Sequence, residues 1–266
     1  MNYIIIGASQ GIGFEISKSL EKKNKLILCS RKKNKYFDKF SKNISFIKTD
    51  VTKTEDIKKL YKYLKNKKIK LDGAILCQGL LGSPINIYDK SRTKQWQKIF
   101  DTNFTSNLSL VRYILPFIKK KNYSKIIFFS GGGVFNTWPK FSAYSISKTA
   151  LVRFAENLAD EVKNEKIIVT CLAPGFINTN IHKENYSKLK ILNKKYRDEL
   201  INNFKRKPNF KNILGLTNFI LGNKNINLSG RTISANFDPW KSKSFNSKLK
   251  KDENLFKLVR QNLKSH

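Results

Sequence analysis

Tyr144 and Lys148 stand four residues apart near the start of a segment, Ser142 to Asp160, whose apolar residues recur at helical spacing. Residues at i and i+4 project from one helical face. A phenol is a poor base at neutral pH, and an ammonium one turn away favours its ionised form. Such a pair could move a proton to or from a substrate oxygen. The same residues could also be an aromatic packing group and a solvated surface charge, so their meaning depends on the chain around them. Just upstream, the apolar run Ile126 to Phe129 has the length of a fully buried strand. It ends at Ser130 and three glycines, Gly131 to Gly133, and Pro139 closes the loop that follows.

Other strand-like runs end in residues suited to a nucleotide. Residues 2–6 (NYIII) stop at Gly7, and a helical pattern starts near Gly11. A strand feeding a glycine-rich turn that opens a helix sets backbone N–H groups and the helix N-terminus against a phosphate. The spacing here is G-x-x-x-G-x-G, which differs from the G-x-G-x-x-G fingerprint. Gly7 would serve the turn, Gly11 the close approach of a pyrophosphate and Gly13 tight helix packing. The run Lys25 to Cys29 ends in Ser30-Arg31-Lys32-Lys33, with no carboxylate before Asp38. An acid near this point binds ribose hydroxyls, whereas a basic residue accommodates a 2′-phosphate. The pattern therefore favours NADP(H) over NAD(H), although these lysines could be ordinary turn residues.

A third run, Ile44 to Thr49, precedes Asp50-Val51, where Asp50 could accept from an adenine amino group or simply shape a turn. The fourth, Asp72 to Cys77, ends in Gln78-Gly79, and Gly79 lets a nucleotide lie close to the backbone. Ser91 to Lys121 is helical by pattern, with Asn103 and Asn107 among its apolar residues. An amide there faces solvent, bonds back to the backbone or, if buried, organises water. The run Lys166 to Leu172 leads into Pro174 and Gly175, which would shape a wall for a nicotinamide, and Thr179, which would reach the phosphates or the carboxamide. A last run spans Arg231 to Ala235. Seven short runs alternating with helices predict an α/β fold, a doubly wound parallel sheet whose ligands sit beyond the carboxyl ends of the strands. The glycine turn, Asp50, Gly79, Ser130 and Pro174-Gly175 all fall at such ends.

With 266 residues the chain is long enough for one sizeable domain. The reading is a single domain over 1–240 with a polar, basic substrate lid at 180–211, followed by a basic tail at 241–266. The net charge of +34 comes from 45 lysines and 8 arginines spread along the whole length. Without a basic block or aromatic interleaving this reads as codon bias and not as a nucleic-acid surface, and it leaves room for an anionic small-molecule substrate. Cys29, Cys77 and Cys171 lie in or at the end of apolar runs without C-x-x-C spacing, so neither a disulfide framework nor a metal site is expected. The opening apolar run is too short for a signal segment or a membrane span, and a cytoplasmic protein with no membrane partner is expected.

Over roughly Asn2 to Ala235 the chain resembles the single-domain short-chain dehydrogenase/reductases. The resemblance rests on Gly7-Ala8-Ser9-Gln10-Gly11-Ile12-Gly13, Asp50-Val51, Asn103, Tyr144-Ser145-Ile146-Ser147-Lys148, and Pro174-Gly175 with Thr179. It implies a Rossmann-like seven-stranded sheet with helices on both faces. By resemblance Tyr144 is the acid/base, Lys148 lowers its pKa and binds the nicotinamide ribose, Ser130 holds the substrate oxygen, and Asn103 anchors a relay water. Cofactor contacts would fall to Gly7, Ser9, Gln10, Gly11, Ile12, Gly13, Arg31, Asp50, Val51, Gly79, Tyr144, Lys148, Pro174, Gly175 and Thr179. A homodimer or homotetramer would form through Ile99 to Phe117 and Ala143 to Leu158.

Three features depart from that family. The serine usually found thirteen residues before the tyrosine is Gly131 here, with Ser130 one place earlier. The usual Asn-Asn-Ala-Gly is Leu76-Cys77-Gln78-Gly79. In place of a C-terminal glycine pair stands Leu228 to Trp240, which is similar to members acting in sugar and surface-polysaccharide metabolism. The expected activity is an NAD(P)-dependent hydride transfer to or from a carbonyl or secondary alcohol, with a keto-sugar or nucleotide sugar as substrate. The alternative is a catalytically silent NADP(H)-binding regulator.

Overall fold

The apolar runs become strands that bury both faces, which is why they read as nearly continuous hydrophobic stretches. In the computed structural model they are β1 (Asn2–Ile6), β2 (Lys25–Ser30), β3 (Ile44–Lys48), β4 (Gly73–Leu76), β5 (Ser124–Phe129), β6 (Ile167–Ala173) and β7 (Arg231–Ser234). The structure describes residues 1–120, 123–186, 188–204 and 207–260. All seven strands pair in parallel in the order β3-β2-β1-β4-β5-β6-β7. The order reverses between β1 and β4, and a crevice for ligand opens beyond the carboxyl ends at such a point.

The helices are α1 (Gly11–Leu20), α2 (Thr54–Asn66), α3 (Thr93–Phe100), α4 (Ser106–Ile114), α5 (Ser142–Glu161), α6 (Lys183–Tyr186), α7 (Lys194–Phe204), α8 (Lys211–Gly222) and α9 (Phe245–Lys251). They cover the two faces of the sheet as the doubly wound reading expects. On one face α2, α4 and α5 bring Leu60, Ile114 and Leu151 onto Ile4, Ile126 and Val169. On the other, α1, α8 and α9 bring Ile16, Leu216 and Phe245 onto Ile5, Ile127 and Ile168. Among the described residues no helix is long and apolar enough to cross a membrane.

Two stretches differ from their sequence pattern. Ser91 to Lys121 reads as one helix, but a π turn at Asp101–Thr105 separates α3 from α4, and a 3-10 turn at Leu115–Phe117 ends it. The polar side chains supply the reason. Thr102 Oγ1 donates to Lys98 O (2.8 Å), Ser106 Oγ to Thr102 O (2.7 Å) and Asn107 Nδ2 to Asn103 O (2.7 Å), drawing carbonyls out of the regular ladder. Pro116 then removes a donor, and Lys121 lies outside the described residues. The lid, expected to be helix-like throughout 180–211, is a set of short pieces: a 3-10 turn at Asn180–His182, α6, a second turn at Leu189–Ile191, and α7.

The boundary expected after residue 240 falls inside the core. Phe245 and Leu249 are buried, Phe245 meets Phe219 at 5.8 Å and Phe256 at 5.9 Å, and Thr232 N donates to Phe256 O (2.9 Å). The buried Arg231 guanidinium donates to Asn227 O (2.6 Å), Leu249 O (2.8 Å) and Leu255 O, tying the segment to β7. Lysine spacing disguised it as a tail, because the two apolar residues that anchor α9 are surrounded by charge. Phe245→Ala is expected to cost about 3–5 kcal/mol, as for other Phe-to-Ala changes in cores. Urea denaturation measures this; a loss under about 1 kcal/mol, the range of surface substitutions, would mean that the segment is peripheral.

Candidate active site

A cleft of about 2260 Å³ runs along the carboxyl edge of the sheet. At one end the glycine turn forms a close-fitting cradle. Gly7 has φ +78°, and a Cβ there would stand 2.9 Å from Gln78 N. A Cβ on Gly13 would stand 2.4 Å from Gly7 O, so α1 rests directly on the turn and Gly13 lies behind the cleft. Gly7, Ser9, Gln10, Gly11 and Ile12 line it, with the α1 N-terminus among them. This bare backbone at a helix N-terminus fits the pyrophosphate of a dinucleotide. Gln10 Oε1 accepts from Asn180 Nδ2 (2.8 Å), and the space beside Gly11 is bounded by Thr179 at 3.6 Å, so the root of the lid lies across the turn.

Asn34 Nδ2 donates to Ser9 O (2.7 Å), and this bond draws the Ser30–Lys33 stretch to the rim. Arg31, Lys32 and Lys33 are exposed and line the cleft there. Asp50 and Val51 also line it, and Asp50 Oδ1 accepts from Thr52 N (3.1 Å) and Thr52 Oγ1 (2.7 Å), which makes it an Asx-turn residue as well. On the opposite wall stand Pro174, Gly175 (φ +72°) and Thr179.

The acid–base pair is set by α5. Leu151, Val152, Ala155, Leu158 and Ala159 press this helix on the sheet, which buries Tyr144 and Lys148 at its first turns. Lys148 Nζ donates to Phe129 O (2.7 Å) and lies 6.0 Å from the Tyr144 ring centroid. A Cβ on Gly79 would lie 3.6 Å from Lys148 Nζ and 3.8 Å from Asn103 Oδ1, so three expected site residues converge here. Asn103, however, is fully buried and is not on the cleft wall. Its Oδ1 accepts from Leu80 N (2.7 Å), and its Nδ2 donates to Leu80 O (2.9 Å) and Ser147 Oγ (3.0 Å). Its side chain clamps the Gly79–Leu80 backbone to α5.

Ser130 lines the cleft, and its Oγ is buried without a hydrogen-bond partner among the described residues. Gly131 occupies a tighter place: a Cβ there would stand 2.2 Å from Tyr144 Oη. The phenol oxygen thus fills the space that a side chain at 131 would need.

Electrostatics correct one expectation. An ammonium one turn away was expected to depress the phenol, but burial pushes Tyr144 well above its ordinary value and pushes Lys148 down to about 8. Lys148 points at the Phe129 carbonyl, and desolvation dominates both groups. At neutral pH Tyr144 is therefore protonated, the form that donates to a carbonyl oxygen.

The far end of the cleft holds a group that sequence spacing does not reveal. Trp138 meets Tyr144 edge-on at 5.8 Å and Tyr196 at 4.9 Å, and Phe176 stacks on His182 at 4.4 Å. Trp138, Phe176, His182 and Tyr196 line the cleft with Leu80 and Leu81. They come from three separate segments, so only their aromatic character was legible. Of the described lid cations only Lys195 lines the cleft.

Comparison with known proteins agrees with this geometry. The family model described as short chain dehydrogenase matches residues 2–190. A benzil reductase ((S)-benzoin forming) of Saccharomyces cerevisiae is 32% identical over 197 residues, 68% of this chain and 73% of that protein. Dehydrogenase/reductase SDR family member 4 of Sus scrofa is 25% identical over 239 residues, 86% and 84% of the two chains. The crystal structure of a short chain dehydrogenase/reductase from Saccharomyces cerevisiae superposes with a TM-score of 0.78, covering 90% of this chain and 96% of that one at 24% identity.

The depressed Lys148 also links stability to pH. Below pH 8 both folded and unfolded chains carry the ammonium, and the native state bears the full desolvation cost. Between about 8 and the ordinary 10.5 the native amine is neutral while the unfolded one still binds a proton, so stability rises with pH. Lys148→Met is expected to stabilise the cofactor-free protein at pH 7 by about 1–4 kcal/mol and to abolish the rise between pH 8 and 10. Denaturation at a series of pH values checks this, and an unchanged pH slope in the variant would contradict it.

Proposed function

Because the chain belongs to the short-chain dehydrogenase family and is an NAD(P)-dependent dehydrogenase/reductase, we propose that it uses NADP(H) to reduce an apolar, aryl-bearing carbonyl compound, with Tyr144 as proton donor. The observation that carries the reading is a protonated, buried Tyr144 on the cleft wall one turn from Lys148. The bound nicotinamide supplies or takes up the hydride. As charge develops on the carbonyl oxygen, Tyr144 gives it the phenolic proton, and the Lys148 ammonium stabilises the phenolate left behind. The Ser130 O–H, which has no partner among the described residues, is the second donor available to that oxygen. Asn103 acts as a positioning residue, holding Gly79–Leu80 against α5.

The glycine turn, Thr179 and the Pro174–Gly175 wall would hold the dinucleotide, and the rim cations Arg31, Lys32 and Lys33 support NADP(H) over NAD(H). The aromatic end of the cleft supports an aryl carbonyl substrate, as does the likeness to a benzil reductase. A keto-sugar, expected from the basic lid, finds less support, since Lys195 alone among the described lid cations lines the cleft, beside Asn193, Tyr196 and Glu199. Self-association through α4 and α5 fits Ile146, which is 51% exposed on α5.

NADPH and NADH oxidation against a panel of aryl ketones, diketones and keto-sugars tests the reading. Tyr144→Phe is expected to lower turnover by about 10²–10⁴-fold while NADPH binding persists. Arg31→Ala is expected to lower kcat/KM for NADPH by about tenfold, the loss of one charge-assisted contact, and to leave NADH unchanged. Cofactor binding with no turnover of any carbonyl would instead point to the silent regulator.

A further inference from the structure

Three successive glycines, Gly131 to Gly133, follow Ser130 and line the cleft. Each leaves its side-chain space to a different residue further along the chain. A Cβ on Gly133 would overlap Ser145 Oγ, one on Gly132 would stand 2.8 Å from Trp138 Cζ3, and one on Gly131 would overlap Tyr144 Oη. Of the three, only Gly131 meets the proton donor. The same Cβ would lie 2.8 Å from Tyr144 Cζ and 2.9 Å from Cε1, so the end of the ring rests on the Gly131 backbone. Among the described residues the phenol makes no hydrogen bond, and burial is what perturbs it. Close packing therefore sets where its oxygen stands.

Both sides of this contact are held. The Tyr144 ring is buried, with Trp138 edge-on at 5.8 Å. The bond from Lys148 Nζ to Phe129 O (2.7 Å) ties the first turns of α5 to the strand end from which the glycines leave. On the loop side Ser130 N donates to Leu172 O (3.0 Å), fixing the residue next to Gly131. A Cβ at residue 131 thus gains its room by displacing the phenol oxygen. A misplacement of about 1 Å costs on the order of 10²-fold in rate. We propose that Gly131 is a positioning residue of this reductase: its bare backbone seats the Tyr144 oxygen where it can protonate a carbonyl, and any side chain at 131 moves that oxygen away. This rests on the reductase reading. It adds that serine, the residue usual at this place in the family, is as damaging here as alanine.

The test uses the full-length protein carrying Gly131→Ala or Gly131→Ser, alone and combined with Tyr144→Phe. Gly131→Ala is expected to lower kcat for the most active carbonyl of the panel by about 10²-fold and to leave NADPH binding unchanged. Gly131→Ser is expected to do no better. Urea denaturation without cofactor gives a readout independent of turnover. There Gly131→Ala is expected to lower the midpoint in the wild-type background and to lower it less beside Tyr144→Phe, where the overlapping oxygen is gone. Should Gly131→Ala fail to fold, recovery of folding in the double variant takes the place of that comparison. A kcat near wild type in Gly131→Ala, a parallel loss of NADPH affinity, or wild-type turnover in Gly131→Ser would overturn the proposal. So would an equal midpoint loss in both backgrounds, or a double variant that also fails to fold. A wild type that turns over no carbonyl takes the reductase reading down, and Gly131 as the seat of the phenol then stands or falls on the two denaturation series.

Discussion

The hydrogen bond from Lys148 Nζ to Phe129 O fixes the centre of this site. It joins the first turns of α5 to the carboxyl end of β5, where the order of the sheet places the cleft. An ammonium held there is desolvated, and desolvation likewise suppresses ionisation of the nearby thiols, the half-buried Cys77 on the cleft wall and the buried Cys171. The same packing that depresses Lys148 raises Tyr144, since both shifts come from removing charge from water. A phenol kept neutral beside an amine near its own titration range is poised to donate a proton to a carbonyl oxygen.

Around that bond two buried polar atoms lack partners among the described residues. Ser130 Oγ and Gln78 Oε1 are buried, line the cleft and have no partner among the described residues. Buried polar atoms are almost always paired, so orphans that line the cleft mark where a ligand's polar groups are expected. Gln78 itself is held from the other end, its Nε2 donating to Asn107 Oδ1 at 2.9 Å. The π turn at Asp101–Thr105 contributes here, because it lets Asn103 turn inward to clamp Leu80 while Asn107 reaches both Gln78 and the Asn103 carbonyl.

The two ends of the cleft follow different chemistry. At the glycine turn the chain offers backbone N–H groups, small residues and rim cations, suited to phosphates. At the other end it offers the aromatic faces of Trp138, Phe176, His182 and Tyr196 beside the polar lid residues Asn193, Lys195 and Glu199. The lid root joins them, since Thr179 and Asn180 touch the glycine turn while His182, two residues on, stacks on Phe176. Cofactor and substrate walls are thus held by one short segment.

By itself the sequence determined the strands, the glycine turn and the Tyr144–Lys148 pair, because each is a local pattern: apolar runs of strand length, glycines at fixed offsets, an i, i+4 spacing on one helix. Gly7 for the turn and Gly13 for helix packing were legible for the same reason. Only the tertiary structure decided what depends on distant segments meeting. Asn103 was visible as a polar residue in an apolar helix, but its bond to Leu80 needed the fold. The sign of the Tyr144 shift turned on burial, which spacing does not encode. α9 looked like a charged tail because its anchors, Phe245 and Leu249, find their partners on α8 and near β7, far away in the chain. The aromatic end of the cleft was illegible for that same reason: Trp138, Phe176 and Tyr196 share no period, and only the packing of three separate segments at the sheet edge brings them together.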